Sequence, residues 1–138
     1  MDYNSDKAKI EYQLLEAGYE FAPASYTLDR SGVNLFLEAV EETSRLYQAT
    51  DLVPPMAVAA YAMASLAESI SLPPGTIHVS QELEFLEVAK VGDTISCQAK
   101  VMKKQERGKL HLMIIGLDVL NQDQKKVISG KTSFVLPV

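Results

Sequence analysis

The chain has 138 residues, of which 47% are hydrophobic and 22% are charged, and this composition excludes an intrinsically disordered protein. Its formal net charge of −5 argues against non-specific nucleic-acid binding, which depends on basic surfaces. The single cysteine, Cys97, excludes an internal disulfide and indicates a reducing compartment.

The length suits one domain over residues 1–138. The first residues are polar and show no signal peptide, so a cytoplasmic location is expected. The longest apolar stretch, residues 52–67, is shorter than the roughly 20 residues that cross a bilayer, so no membrane span is expected. The two histidines and Cys97 lie far apart, and neither a metal site nor a cofactor is expected.

The N-terminal third predicts two helices separated by a short strand. Residues 6–17 predict an N-terminal helical extension, because Ile10, Leu14 and Ala17 fall on one helical stripe. Residues 21–28 predict a short edge strand that begins near a proline.

The second predicted helix begins at a cap, Asp29 or Ser31, and reaches about Val40. Its apolar stripe follows the i, i+3, i+4, i+7 spacing of a helix: Val33, Phe36, Leu37 and Val40. Residues 41–51 are polar and predict a loop.

The middle of the chain predicts one long helix, over about residues 55–70. Pro55 suits the first helical position, where a missing N–H is not needed. The residues that follow are apolar almost all round, which is typical of a buried helix. Met56 and Met63 are interpreted as core side chains first and as lining of a lipid pocket second.

After Gly75 the hydrophobic period changes to two, and four strands are predicted, over residues 77–85, 94–103, 110–120 and 127–136. Residues 103–109 predict a charged hairpin loop, and 121–124 a turn. The strand at 110–120 is apolar on both faces and predicts a central strand covered on both sides.

Together these elements predict an α+β fold in which a curved antiparallel sheet wraps around one buried helix. The outer face and the edges of such a sheet need cover, so a dimer is expected.

Three stretches resemble a known family. They are GYEFAPASYTLDRSGVNLF (18–36), LVPPMA (52–57) and IHVSQELEFLEVAKVGDTI (77–95). They are similar to segments of MaoC-like hotdog proteins, the (R)-specific enoyl-CoA hydratases and hydroxyacyl-thioester dehydratases, and most of all to the N-terminal halves of double-hotdog members. The resemblance covers about residues 18–138 and implies the hotdog fold.

The resemblance also implies which residues would form the site. Active members carry an Asp in a D-x-N-P-x-H loop and a His, followed by a Gly, at the head of the hotdog helix. Glu42 falls at the position of the Asp and Ser44 at that of the Asn, whereas Pro54 replaces the His and Pro55 replaces the Gly. Proline has neither a titratable group nor a backbone N–H, so acid–base help and one oxyanion donor are missing.

The family likeness therefore implies a protein that handles acyl thioesters of coenzyme A or acyl carrier protein as a non-catalytic subunit. It would act as a homodimer or as a heterodimer with a catalytic hotdog subunit. The residues expected to bind substrate are Ser44, Tyr47, Pro54, Pro55, Met56, Tyr61 and Gln81.

Two enzymatic alternatives stay open. A divergent dehydratase or hydratase would use Glu42, His78 or both as catalytic groups, because His78 keeps a family position. A hotdog thioesterase would need a carboxylate on the long helix, where Glu68 is the acidic residue, far from the helix start. His111 is interpreted as a core or interface histidine, and Cys97 as a buried inert thiol.

Overall fold

The computed structural model describes residues 9–137. The strands are β1 (Ile10–Glu11), β2 (Ala24–Thr27), β3 (Ile70–Ser71), β4 (Ile77–Phe85), β5 (Thr94–Arg107), β6 (Leu110–Leu120) and β7 (Lys126–Pro137), and the α-helices are α1 (Arg30–Ala39), α2 (Arg45–Ala49) and α3 (Pro55–Ser69). A single 3₁₀ turn spans Tyr12–Leu14. Within this part of the chain no helix is long and apolar enough to cross a membrane.

Five strands form one antiparallel sheet in the order β2-β5-β6-β7-β4. β1 and β3 form a separate two-stranded parallel pair. The four long strands follow one another in the chain, but β4 pairs with β7 at the far edge and not with β5. Because local alternation does not specify a strand's partner, the sequence pattern could not fix this order.

α3 packs on the inner face of the sheet and confirms the predicted arrangement of one helix inside a curved sheet. Pro55 occupies its first position. The first half of α3 packs with the buried side chains of Ile95 and Val119, and Leu66 in its second half packs with Val101 and Ile115. The α+β hotdog fold is thus built around this contact.

One side of α3 is not covered, contrary to the expectation of a helix buried on every face. Met56 is 55% exposed, and Ala60 and Ala64 are also exposed. The sheet covers only the face that contains Val58, Ala62 and Leu66. A uniformly apolar helix gives no sign of which face stays open, so the pattern overestimated its burial.

The predicted N-terminal helix over residues 6–17 is wrong for the residues described, and residues 6–8 lie outside them. Residues 9–17 form β1 and the 3₁₀ turn. Leu14, assigned to the apolar stripe, is 73% exposed, whereas Tyr12 and Leu15 are buried. Pairing of Ile10 with Ile70 of β3 outweighs the weak helical periodicity.

Three other boundaries differ from the predictions. The polar segment 41–51 contains the short helix α2, and the strand predicted over 21–28 is shorter, covering Ala24–Thr27. β5 runs on to Arg107, so the strands occupy most of the expected hairpin loop at 103–109. Charged side chains do not end a strand when they lie at an exposed edge or on an open face.

β6 is central, as predicted, but only one of its faces is fully covered. Met113, Ile115, Leu117 and Val119 are buried, and the residues between them are half-buried. The outer face of the sheet is therefore open within the described chain.

Candidate functional site

An apolar groove of about 660 Å³ runs along the uncovered face of α3. This helix supplies Pro55, Met56, Ala59, Ala60 and Met63 to its wall. Positions 56, 59, 60 and 63 follow the i, i+3, i+4, i+7 spacing of one helix face and extend over about 10 Å at 1.5 Å per residue. The two alanines leave room for a ligand between the methionines.

The opposite wall comes from the segment that precedes α3. α1 contributes Phe36 and Val40, α2 contributes Tyr47, and Glu42 lies in the connection between these helices. The predicted apolar stripe of α1 is therefore divided: Val33 and Leu37 are buried in the core, whereas Phe36 and Val40 line the groove.

Arg30 fixes the α2 segment over the groove. Its guanidinium donates to the carbonyl oxygens of Tyr47 at 3.3 Å and Thr50 at 3.2 Å, and it pairs with Asp51 at 2.9 Å. Bidentate and branched contacts of this kind suit the rigid donor fork of arginine. Tyr47 is thus held at the wall by a contact to its own backbone.

The start of α3 is formed by two prolines. Pro54 is the N-cap and provides no side-chain cap, and Pro55 is the first helical residue. The N–H of Ala57 donates to the carbonyl oxygen of Pro54 at 2.9 Å. Met56 is therefore the first residue of α3 with an N–H to offer, because proline has none.

Glu42 is held at the groove by two backbone contacts. Its Oε1 accepts from the N–H of Ser44 at 2.9 Å, and its own N–H donates to the carbonyl oxygen of Leu37 at 2.9 Å. The preceding residue, Glu41, has a φ of 56°, which turns the chain at the end of α1. Among the described residues that line the groove, Glu42 alone carries a charge.

The structure brings most of the sequence-predicted site residues together at this groove. Those that line it are Glu42, Tyr47, Pro54, Pro55, Met56 and Gln81. Gln81 reaches it from β4, so two distant parts of the chain meet there.

Ser44 and Tyr61 are not among the lining residues. The hydroxyl of Ser44 caps α2 by accepting from the N–H of Leu46 at 3.3 Å. Tyr61 packs in the core, with its ring centroid 5.0 Å from that of Tyr26. A side chain at Gly32 would place its Cβ 2.8 Å from the Tyr61 hydroxyl, so glycine permits this approach of α1 to α3.

His78 lies on β4 but does not line the groove. Its Nε2 is hydrogen-bonded to the hydroxyl of Thr132, a fully buried residue of β7. Its ring also stacks on Phe134 at 4.9 Å between centroids. These contacts tie the edge strand to its neighbour.

The pKa is shifted for two groups beside α3, the buried thiol of Cys97 and the half-buried phenol of Tyr26. Burial raises the pKa of the Cys97 thiol to about 11. Burial also raises the pKa of the Tyr26 phenol, against the opposing effect of its hydrogen bond with Ser65. Neither residue lines the groove, and Cys97 has the buried position expected of it.

The sequence analysis missed Phe36, Val40, Ala59 and Ala60 as lining residues. The sequence did contain an indication for the two alanines, because small side chains at adjacent helix positions leave space for a ligand. The pattern did not show which face of α3 would remain uncovered.

Comparison with known proteins agrees with this architecture. A family described as FAS1-like, dehydratase domain region, matches residues 16–129. A comparison with curated protein sequences returned no match.

Three solved structures illustrate the likeness. The unliganded R-hydratase PhaJ1 from Pseudomonas aeruginosa superposes with a TM-score of 0.78 at 24% identity, over 94% of this chain and 86% of that one. The (R)-hydratase from A. caviae involved in PHA biosynthesis gives 0.75 at 21% identity, over 91% and 99%. The C-terminally truncated HadBC (3R-hydroxyacyl-ACP dehydratase) complex from Mycobacterium tuberculosis gives 0.66 at 17% identity, over 86% and 96%.

Proposed function

The chain belongs to the FAS1-like dehydratase-region family of MaoC-like hotdog proteins, and on that premise we propose that it binds acyl thioesters in the α3 groove without converting them. It would serve as a non-catalytic subunit or as a binding homodimer. Its thioester ligand would be carried by coenzyme A or by acyl carrier protein.

The observation that carries this proposal is the pair of prolines at the start of α3. A hydratase must stabilise negative charge on the thioester oxygen and must move a proton at the neighbouring carbons. Pro54 and Pro55 supply neither an N–H nor a titratable group at the two positions where the helix meets the groove. Loss of one such donor typically lowers a rate on the order of a hundredfold or more.

The shape and polarity of the groove support the binding part of the proposal. The buried Ala59 and the exposed Ala60 both line it, with Met63 further along the same helix. An acyl chain is apolar and needs such a surface, and the flexible thioether of methionine adapts to chains of different length. The related structures are named hydratases and a hydroxyacyl-ACP dehydratase, which supports an acyl thioester as the ligand class.

A second candidate function is a dehydratase or hydratase that depends on Glu42. The observation in its favour is that the Glu42 carboxylate lines the same groove as the Tyr47 side chain. His78 has less support as its partner, because its ring faces Thr132 and Phe134. The thioesterase alternative gains no such support, since Glu68 is exposed and is not part of the groove wall.

The open edge of β4 supports assembly with a second hotdog subunit. Within residues 9–137, β4 is hydrogen-bonded to β7 along one edge only, and Ile77, Val79 and Phe85 are exposed. An unpaired edge strand that exposes apolar side chains among its polar ones can associate with another strand unless it is covered. Because Gln81 of β4 lines the groove, a subunit paired there would lie beside the ligand.

Two measurements on the purified chain test the proposal. Isothermal titration with octanoyl-CoA measures binding, and the loss of enoyl absorbance with trans-2-octenoyl-CoA measures hydration. Binding without turnover is the expected result. Enzyme-like turnover by the chain alone would overturn the non-catalytic assignment and favour the second candidate, in which Glu42→Gln would abolish the rate.

A further inference from the structure

The groove holds one fixed negative charge and no balancing positive charge. Its remaining walls are apolar, apart from the neutral polar side chains of Tyr47 and Gln81. Within residues 9–137 the Glu42 carboxylate forms no salt bridge, and its hydrogen-bond partner is the N–H of Ser44.

The surface next to the groove adds to this negative potential. Glu38 and Glu41 lie with Glu42 around an adjoining hollow at the end of α1. All three carboxylates, Glu42 included, are exposed, so salt screens them and their effect on a bound charge is largest at low ionic strength. Their shared sign means that none of them offsets the field of Glu42 inside the groove.

The small size of the groove makes this charge relevant to any bound head group. The groove has a volume of about 660 Å³, so a charge bound inside it lies close to every wall residue. The separation is within roughly one Debye length, which is about 10 Å at 0.1 M salt. This holds whichever way an acyl chain is oriented along α3.

An acyl thioester and the free fatty acid with the same acyl chain differ in the charge of the head group. The thioester head is neutral, whereas the fatty acid is a carboxylate at neutral pH. Two like charges 6–10 Å apart, partly screened by water, repel each other enough to weaken binding by about three- to tenfold.

We infer that Glu42 makes the groove selective for the neutral thioester over the free fatty acid carrying the same acyl chain. This inference rests on the proposed function, because it assumes that the groove binds acyl chains. In this inference Glu42 determines which ligand binds, and it takes no part in a reaction of the thioester. The groove would then reject the product of thioester hydrolysis.

The experiment compares two ligands with one tail. Isothermal titration at pH 8 in 50 mM salt measures the dissociation constants of octanoyl-N-acetylcysteamine, a neutral thioester without phosphates, and of octanoate. The proteins are the unaltered chain, Glu42→Gln, and Glu41→Gln as the matched control. Glutamine at position 42 keeps an oxygen that can accept from the Ser44 N–H, and Glu41 does not line the groove.

The inference expects Glu42→Gln to raise the affinity for octanoate, relative to that for the thioester, by about three- to tenfold. An equal change in both affinities would contradict it. Glu41→Gln should match the unaltered chain with both ligands. In 0.5 M salt the gain in octanoate affinity should shrink to less than about twofold, because the Debye length is then about 4 Å.

Two negative results are distinguishable. If the thioester binds but octanoate affinity is the same with and without the Glu42 charge, the selectivity inference fails and the proposed function stands. If the thioester binds to none of the three proteins, the proposed function fails and the inference falls with it.

Discussion

The Nζ of Lys104 donates a 2.8 Å hydrogen bond to the carbonyl oxygen of Leu15, a residue 89 positions earlier in the chain. The same ammonium group donates to the carbonyl oxygens of Tyr12 at 3.2 Å and Gln13 at 3.4 Å. It also lies 4.6 Å from the centre of the Tyr12 ring. One side chain of β5 thus holds the N-terminal turn against the sheet.

Replacing this lysine should destabilise the fold. Lys104→Met keeps the length of the side chain but removes its hydrogen bonds to three carbonyl groups, of which that of Tyr12 still accepts from the N–H of Leu15. We expect a loss of about 1–3 kcal/mol in the free energy of unfolding. Urea unfolding followed by circular dichroism measures it. Lys103→Met, at an exposed neighbouring position, should change stability by less than about 0.5 kcal/mol. Equal effects of the two substitutions would contradict the role of Lys104.

Filling the groove with a larger side chain should weaken ligand binding without unfolding the protein. Ala60→Phe places an aromatic ring on the exposed face of α3 that lines the groove, and we expect at least a tenfold loss of octanoyl thioester affinity. Ala64→Phe is the control, since Ala64 is also exposed on α3 but does not line the groove. Isothermal titration compares them. Unchanged affinity in Ala60→Phe would place the ligand elsewhere.

Gly130 should be far more sensitive to substitution than Gly116. A Cβ on Gly130 would collide with the carbonyl oxygen of Glu82 and come within 2.9 Å of the Leu83 side chain, so β4 would have to move away from β7. A Cβ on Gly116 would meet the exposed side chain of Met102 at 3.2 Å, and that side chain can move.

We therefore expect Gly130→Ala to lower stability by more than about 2 kcal/mol and Gly116→Ala by less than about 1 kcal/mol. Thermal unfolding of the two variants measures the difference. Similar melting temperatures would show that β4 can move away from β7 at little cost in stability, which contradicts the close contact at Gly130.

If a second subunit covers β4, the protein is a dimer, and one substitution on this edge strand should dissociate it. Val79→Lys introduces a charge on the exposed edge strand and should shift the species from twice the 15.2 kDa chain mass to the monomer. Leu35→Lys, on the exposed side of α1, should leave the mass unchanged. Light scattering after gel filtration measures both. A dimer that survives Val79→Lys would move the interface away from β4.

Stability should fall in alkaline solution because of Cys97. The thiol has an ordinary pKa of about 9, and burial raises the pKa to about 11 in the folded chain, so the unfolded chain loses its proton first. The stabilisation is complete below pH 9 and is lost as the pH rises towards 11, with a total of at most about 3 kcal/mol.

Cys97→Ala should flatten this dependence between pH 9 and 11, measured by urea unfolding at several pH values. A residual fall above pH 10 is expected in both proteins, since burial also raises the pKa of Tyr26. Identical pH profiles for the two proteins would rule out the thiol as the cause.

The sequence predicted α3 and the inner strands because each has a local signal. Pro55 marks the helix start, and the alternation of Ile95, Cys97 and Val101 with polar residues marks β5. The N-terminal turn was misassigned because its stability comes from Lys104 and from the pairing of Ile10, contacts that no local pattern shows.

The candidate site was predicted through motif positions rather than through packing. Pro54, Tyr47 and Gln81 were named from a family resemblance, and the structure brings them to one groove. Ala59 and Ala60 were missed because an apolar helix does not indicate which of its faces a sheet will leave open. The catalytic roles considered for Glu42 and His78 stay predictions.

The pairing of β4 with β7 also sets the order in which the protein can fold during its synthesis. The ribosome makes residues 77–85 before residues 126–137, and at about 5–20 residues per second the delay is a few seconds. During that interval Ile77 and Phe85 lack their ladder partners, Val135 and Ile128. The edge strand is therefore open on the nascent chain, during that interval, to a chaperone or to a partner subunit that has already folded.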